Sequence, residues 1–273
     1  MLWKRVLTAI PLGIFSIWFL LTQSTFALQI ALLGIAVIAG WEWARLSGVV
    51  WKPQRLGYGI ALAVICWLLF AFIGTDLELL YLGAVLWWIG VFFRLITATP
   101  EHATQNVSVR KLLLGVIILV PPVLAMSHIH EIDNGPAWLL FAIVLIWVAD
   151  IGAYFSGRRW GRVKLAPKLS PGKTREGLYG ALFATSLYSL VAGWLLGLSV
   201  TQMLLLLPLT LVATLFSVVG DLSESLLKRE AGLKDSGSIL PGHGGILDRI
   251  DSLTAAMPLF ALLLPWILSR SMV

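Results

Sequence analysis

Residues 137–156 read AWLLFAIVLIWVADIGAYFS, a run whose one charged side chain is Asp150. A helix rises about 1.5 Å per residue, so some 20 residues match the roughly 30 Å hydrocarbon core of a bilayer. A helix also satisfies its own backbone N–H and C=O groups across that distance. Similar runs recur at about 6–22, 27–45, 56–74, 78–97, 111–127, 178–197, 202–220 and 253–269. The 273-residue chain is 59% hydrophobic and 12% charged, with a mean hydropathy of +0.90. These features predict an all-α polytopic membrane protein of about nine transmembrane helices.

The net charge of +6 does not call for nucleic acid as a partner, because its distribution is that of a membrane chain. With the N-terminus in the cytoplasm, all of the 20 Lys and Arg residues except Arg270 fall at cytoplasmic connections or their flanks. The first run, ending in TQSTFA, has some features of a secretory signal but is expected to remain as a span. The single cysteine, Cys66, lies inside the third run, which excludes an intrachain disulfide. No repeat or linker divides the chain, so residues 1–273 are expected to form one membrane domain. Residues 1–136 should serve mainly as scaffold and 137–273 should carry the site. Glu42 is the exception in the first half, and snorkelling or pairing beside Trp43 and Arg45 would explain it. His128, His130, Glu131 and Asp133 fall in a short external connection, where solvated side chains are expected rather than a metal site.

Charge concentrates in two cytoplasmic connections, so the active site is expected at the cytoplasmic face. In the eighth, residues 225–252 read SLLKREAGLKDSGSILPGHGGILDRIDS. Asp221, Ser225 and Lys228 fall at i, i+4 and i+7 on one helical face, with Glu224 joining it and Ser223 and Arg229 to its sides. Pro241 and Gly242 break the helix, and Gly244 and Gly245 would let backbone N–H groups approach a bulky anion. Asp248 and Asp251 then stack at i and i+3 on the next helix. They either complement the helix dipole or, with Asp221, form an oxygen-only cluster suited to Mg²⁺. In the sixth connection KLSPGKTREG, residues 168–177, offers Lys173 and Thr174 to phosphate just before a helix. The spacing is not that of a phosphate loop, and no strand is expected to precede it. Asp150, within the membrane run, marks either a site or a buried pair with Tyr154 at i+4.

Four sets of residues give the chain a family resemblance: Ser225 to Arg229; Lys234-Asp235-Ser236-Gly237; Leu240-Pro241-Gly242-His243-Gly244-Gly245; and Asp248-Arg249-Ile250-Asp251. In this order the sequence resembles the signature of the phosphatidate cytidylyltransferases, also called CDP-diacylglycerol synthases. Residues 149–155 and the segment from Lys164 to Gly177 are similar to the same family, whereas the first half agrees mainly in hydropathy and length. Gly172 departs from the Lys that relatives often carry.

The resemblance implies transfer of CMP from CTP to phosphatidate, giving CDP-diacylglycerol and pyrophosphate, with Mg²⁺, in a homodimer of the cell inner membrane. By the family pattern Asp221 and Asp248 are metal ligands with Asp251 close by. Lys173, Lys228 and Arg229 contact phosphate, Ser223 and Ser225 bond phosphate or metal-bound water, and Lys234, His243, Gly244 and Gly245 contribute to substrate binding. The DxxDGxxAR pattern of CDP-alcohol phosphotransferases is absent. A transporter would carry charges across the membrane, whereas here they stop at one face.

Overall fold

The computed structural model describes residues 2–72, 77–100, 107–239 and 244–270. Among them are nine helices: α1 (Leu2–Thr22), α2 (Thr25–Leu46), α3 (Lys52–Phe72), α4 (Glu78–Thr97), α5 (Val109–Glu131), α6 (Gly135–Trp160), α7 (Arg175–Leu195), α8 (Val200–Glu230) and α9 (Leu247–Leu268). Each coincides with one predicted run, and α2 to α9 are eight helices long and apolar enough to cross a membrane. Short polar caps start several of them. Ser24 accepts from the Ala27 N–H, Ser108 from the Lys111 N–H, and Ser199 forms a reciprocal capping box with Gln202.

One hydrophobic core runs from Leu20 to Ile267. Its axis is α9, which packs along α8 and also touches α2, α4, α5 and α6. α6 pairs closely with α7 on one flank. Large apolar side chains such as Phe72, Leu79 and Phe183 point outward, as they do when the surrounding solvent is lipid. The chain runs up and down, so the ends of α2, α4, α6 and α8 and the starts of α3, α5, α7 and α9 share one end of the bundle, where the Lys and Arg residues gather.

Two expectations require correction. The sixth connection, where no strand was expected before α7, folds into an antiparallel hairpin of β1 (Lys164–Ala166) and β2 (Ser170–Thr174), with Lys164 opposite Thr174 and Ala166 opposite Ser170, beside a bundle that is all-α as expected. Leu169 in its turn is buried against Leu222 and Leu226 of α8, so the hairpin is pinned to that helix by apolar contact. The second concerns His128 and His130, which lie in α5 rather than in a loop. His130 is buried, with Nδ1 2.9 Å from the Thr25 hydroxyl and Nε2 3.1 Å from the Leu20 carbonyl, and His128 stacks on Tyr81. Both histidines touch neighbouring helices, His130 buried and His128 half-buried.

Candidate active site

The site is built where the last two turns of α8 meet the first two of α9. The helices approach so closely that a Cβ on Gly220 would collide with the Asp251 carbonyl. That contact brings the acidic positions of both helices together. On α8, the Ser225 hydroxyl donates to Asp221 Oδ1 at 3.3 Å, and Lys228 Nζ lies 2.6 Å from Asp248 Oδ1 and 3.3 Å from Glu224 Oε2. The other oxygen of Asp248 accepts from the Ser236 N–H and hydroxyl, both at 2.9 Å, and from the Gly245 N–H at 2.8 Å. A carboxylate with this many donors, one of them an ammonium, is fixed in orientation and retains its charge.

The connection from α8 to α9 is organised by a residue from the other half of the chain. Glu42 of α2 is 1% exposed. Its carboxylate accepts from the Ile246 N–H at 3.2 Å and the Leu247 N–H at 2.8 Å, and at 3.0 Å it shares with Asp248 the single proton of the Ser236 hydroxyl. The residue preceding α9, Ile246, makes no side-chain cap, so Glu42 supplies the anion that the unpaired N–H groups at this helix start require. A Cβ on Gly237 or on Gly245 would run into the Glu42 carboxylate, which explains why glycine stands at both positions. Arg45, one turn further along α2, donates to the Ser236 carbonyl at 3.2 Å.

Beside this knot a cleft of about 360 Å³ opens between α6, α7, α8 and β2. Asp150, Lys173 and Asp221 line it together with Tyr154 and Arg158. The Lys173 ammonium pairs with Asp221 Oδ2 across the cleft. Tyr154 is not a partner for Asp150; its hydroxyl accepts from Arg158 Nη1 at 2.8 Å. Thr174 does not face the cleft as a free hydroxyl either. Its oxygen accepts from the Gly177 N–H at 3.1 Å and caps α7.

The chain as a whole has counterparts among known proteins. A model of the cytidylyltransferase family matches residues 3–267. The chain belongs to this family. It is 40% identical over 266 residues to a phosphatidate cytidylyltransferase of Pseudomonas aeruginosa, covering 97% of each protein. It is 38% identical over 287 aligned positions to a phosphatidate cytidylyltransferase of Haemophilus influenzae, covering 96% of this chain and 98% of that one. A phosphatidate cytidylyltransferase of Staphylococcus epidermidis is 48% identical over 132 residues, 48% of this chain.

In this cytidylyltransferase-family chain the predicted residues divide into groups. Asp221, Ser225 and Lys173 meet at the cleft, and Lys228, Asp248 and Gly245 meet in the knot beside it. Asp251 lies behind them with Glu224, around a small void that Ser223 also lines. Ser223 sits on the far side of α8 from Asp221, and Arg229 and Lys234 are exposed. His243 lies outside the described residues. Gly244 takes a φ of +83°, as the turn requires, and the Gly245 N–H is bonded to Asp248.

Glu42 was expected to stand apart from the site, and Glu224, though read as joining the Asp221 face, was given no role in it. For Glu42 the available signal was an intramembrane acid in an otherwise apolar half. For Glu224 it was the i+3 relation to Asp221 and the i, i+4 relation to Lys228. Glu224 is 4% exposed, and among the described residues neither of its oxygens accepts a hydrogen bond.

Proposed function

We propose that this protein is a nucleotidyltransferase that joins CMP from CTP to phosphatidate. A phosphatidate oxygen attacks the α-phosphorus of CTP, the α–β phosphoanhydride bond breaks, and pyrophosphate leaves with the bonding electron pair. CDP-diacylglycerol is the other product. The observation that carries this reading is the pair of lysine–aspartate contacts, Lys173 to Asp221 and Lys228 to Asp248, at the charged end of an apolar bundle. It is supported by relatives aligned over nearly the whole chain. The nucleophile is already anionic and needs no strong base. What the site must overcome is repulsion between two polyanions, which positioned cations do well in a place of low water content.

The donor set fits a hard divalent cation. All candidate ligands are carboxylate or hydroxyl oxygens, and Asp221, Asp248 and the buried Glu224 each already face a lysine ammonium, the kind of charge a divalent cation would replace. Among the described residues no three acid, histidine or cysteine side chains form a ready-made cage. Mg²⁺ needs none, since it is usually held by one or two carboxylates together with substrate phosphates. Asp221 and Asp248, with Asp251 near them, are the residues that would hold it. Bound there, the ion would neutralise phosphate charge. Lys173 and Lys228 would exchange their carboxylate partners for phosphate oxygens as substrates enter. The remaining parts of the reading are a cytoplasmic N-terminus, a site facing the cytoplasm, residence in the cell inner membrane and a homodimer. The first two follow from the sidedness of Lys and Arg, and the others rest on family resemblance.

The test uses purified protein in mixed micelles with CTP, short-chain phosphatidate and Mg²⁺, measuring pyrophosphate and CDP-diacylglycerol together. Equal amounts of both, lost when phosphatidate or the metal is omitted, are expected. Folded protein that binds cytidine nucleotide but forms neither product would rule the reaction out. In the same assay Lys173→Ala should lower kcat/KM for CTP by about a hundredfold, the usual cost of losing one charge-stabilising donor. Lys173→Arg should retain more activity than Lys173→Ala; equal loss would remove the cation from its role.

A further inference from the structure

A second cavity, bounded by described residues, is larger than the cleft at Lys173. It has a volume of about 570 Å³ and lies between the charged ends of α2 to α5 and the opposite face of α8. Arg45, Arg55, Arg94, Arg110 and Lys111 converge on it from four helices, against one lining carboxylate, Glu230. Lys111 pairs with Glu230 at 3.0 Å, and Arg45 and Arg55 donate to backbone carbonyls. Among the described residues neither Arg94 nor Arg110 has a carboxylate within ion-pair distance. Arg94 and Arg110 are exposed at the mouth and Arg55 is half-buried, so among the described residues five cations line one cavity against a single carboxylate, an excess of positive charge that an anion would offset.

The cavity is separate from the cleft at Lys173 and Asp221. Ser223, Leu226, Leu227 and Glu230 line it, and successive residues turn by about 100°. Ser223 is therefore about 200° around α8 from Asp221, and the body of the helix separates this cavity from the cleft. Its walls are also amphipathic. The cations crown it, while Trp87, Val91, Leu114 and Ile118 form the part towards the middle of the bundle. Next to the rim Val50 and Trp51 are 78% and 62% exposed, and the outer face of α4 shows Phe93 and Ile96 to the surroundings. A cationic crown over apolar walls, open beside an interfacial tryptophan, matches a phosphate headgroup above acyl chains.

We propose that this cavity binds the phosphate headgroup of an anionic membrane phospholipid, at a site separate from the one that carries out the chemistry. Its occupant is a resident lipid, held by Arg94 and Arg110 with Arg55 behind them.

The proposal is tested on the full-length protein in detergent by native mass spectrometry, with phosphatidylglycerol as the probe and phosphatidylcholine of the same chains as the neutral-headgroup control. Wild-type protein is expected to retain one phosphatidylglycerol in the presence of excess phosphatidylcholine. The double variant Arg94→Gln/Arg110→Gln should bind it about thirtyfold more weakly, each cation near a lipid surface contributing about fivefold. Arg159→Gln/Lys168→Gln removes the same charge from exposed positions outside both cavities and should bind as wild type. Equal weakening in both variants, or no preference for phosphatidylglycerol, would overturn the proposal by showing only general surface attraction. A third arm adds millimolar inorganic phosphate. Retention of the lipid is expected, and displacement by phosphate alone would make the site one for soluble phosphate and sink the lipid assignment. Folding of each variant is checked by its elution as a single species before the titration.

Discussion

Asp248→Asn is expected to reduce turnover at least a thousandfold while the protein still elutes as a folded species in detergent. The side chain keeps its size and can keep one acceptor, so the Ser236 and Gly245 N–H groups need not both lose their partner. It loses the charge that Lys228 faces at 2.6 Å, at a position where the Asp248 side chain is 8% exposed. The orphaned ammonium is then left to Glu224 alone, and the preorganised electrostatics on which a reaction between two anions depends are lost. Breaking one partner of a mostly buried pair costs about 3 kcal/mol, enough to lower thermal stability without unfolding a bundle this apolar. The measurement is kcat/KM for CTP beside the melting temperature. Asp248→Glu, which restores charge but lengthens the arm, separates charge from position: some recovery is expected over Asp248→Asn. Asp248→Asn retaining more than a few per cent of wild-type activity would take Asp248 out of the reaction site.

The parts of this molecule that depend on solvent preference could be read directly. Nine apolar runs correspond to nine helices because, in a bilayer, one local rule about backbone hydrogen bonding decides the structure without reference to the rest of the chain. Helical periodicity likewise placed Asp221, Ser225 and Lys228 on one face correctly. The hairpin at Lys164–Thr174 was not legible, because its strands are short and polar and it is held by the burial of Leu169 on α8, a long-range apolar contact with no periodic signature. The carboxylate that holds the start of α9 was not legible either, because Glu42 reaches the Ile246 and Leu247 N–H groups from about 200 residues away and leaves no local pattern. The first half of the chain was expected to be mainly scaffold. Glu42 and Arg45 show that it also holds the connection in which Ser236 and Asp248 meet.

The strength of that hold can be measured. Glu42→Gln should lower kcat/KM by about a hundredfold although Glu42 has no contact with the cleft, because its effect passes through Ser236 and the start of α9. The glutamine amide offers one acceptor where the carboxylate serves three donors, and its NH₂ group must point at an N–H or at the Ser236 hydroxyl. An unsatisfied buried donor costs about 1–3 kcal/mol, and bonds to a charged acceptor lie at the upper end of that range. The Ile246 and Leu247 amides should then exchange hydrogen about ten- to a hundredfold faster, while amides in the middle of α5 and α9 stay protected. Gly245→Ala supplies an independent approach to the same contact: its methyl group occupies the space of the Glu42 carboxylate and should give the same local loss of protection with Glu42 intact. Both variants slowing turnover together with faster exchange at Ile246 and Leu247 would establish Glu42 as the residue that positions the site from the opposite half of the chain. A Glu42→Gln protein with wild-type turnover and unchanged exchange would reduce it to a buried acid of no consequence for the reaction, and the geometry around Ser236 would then have to be maintained by Asp248 and Arg45 alone.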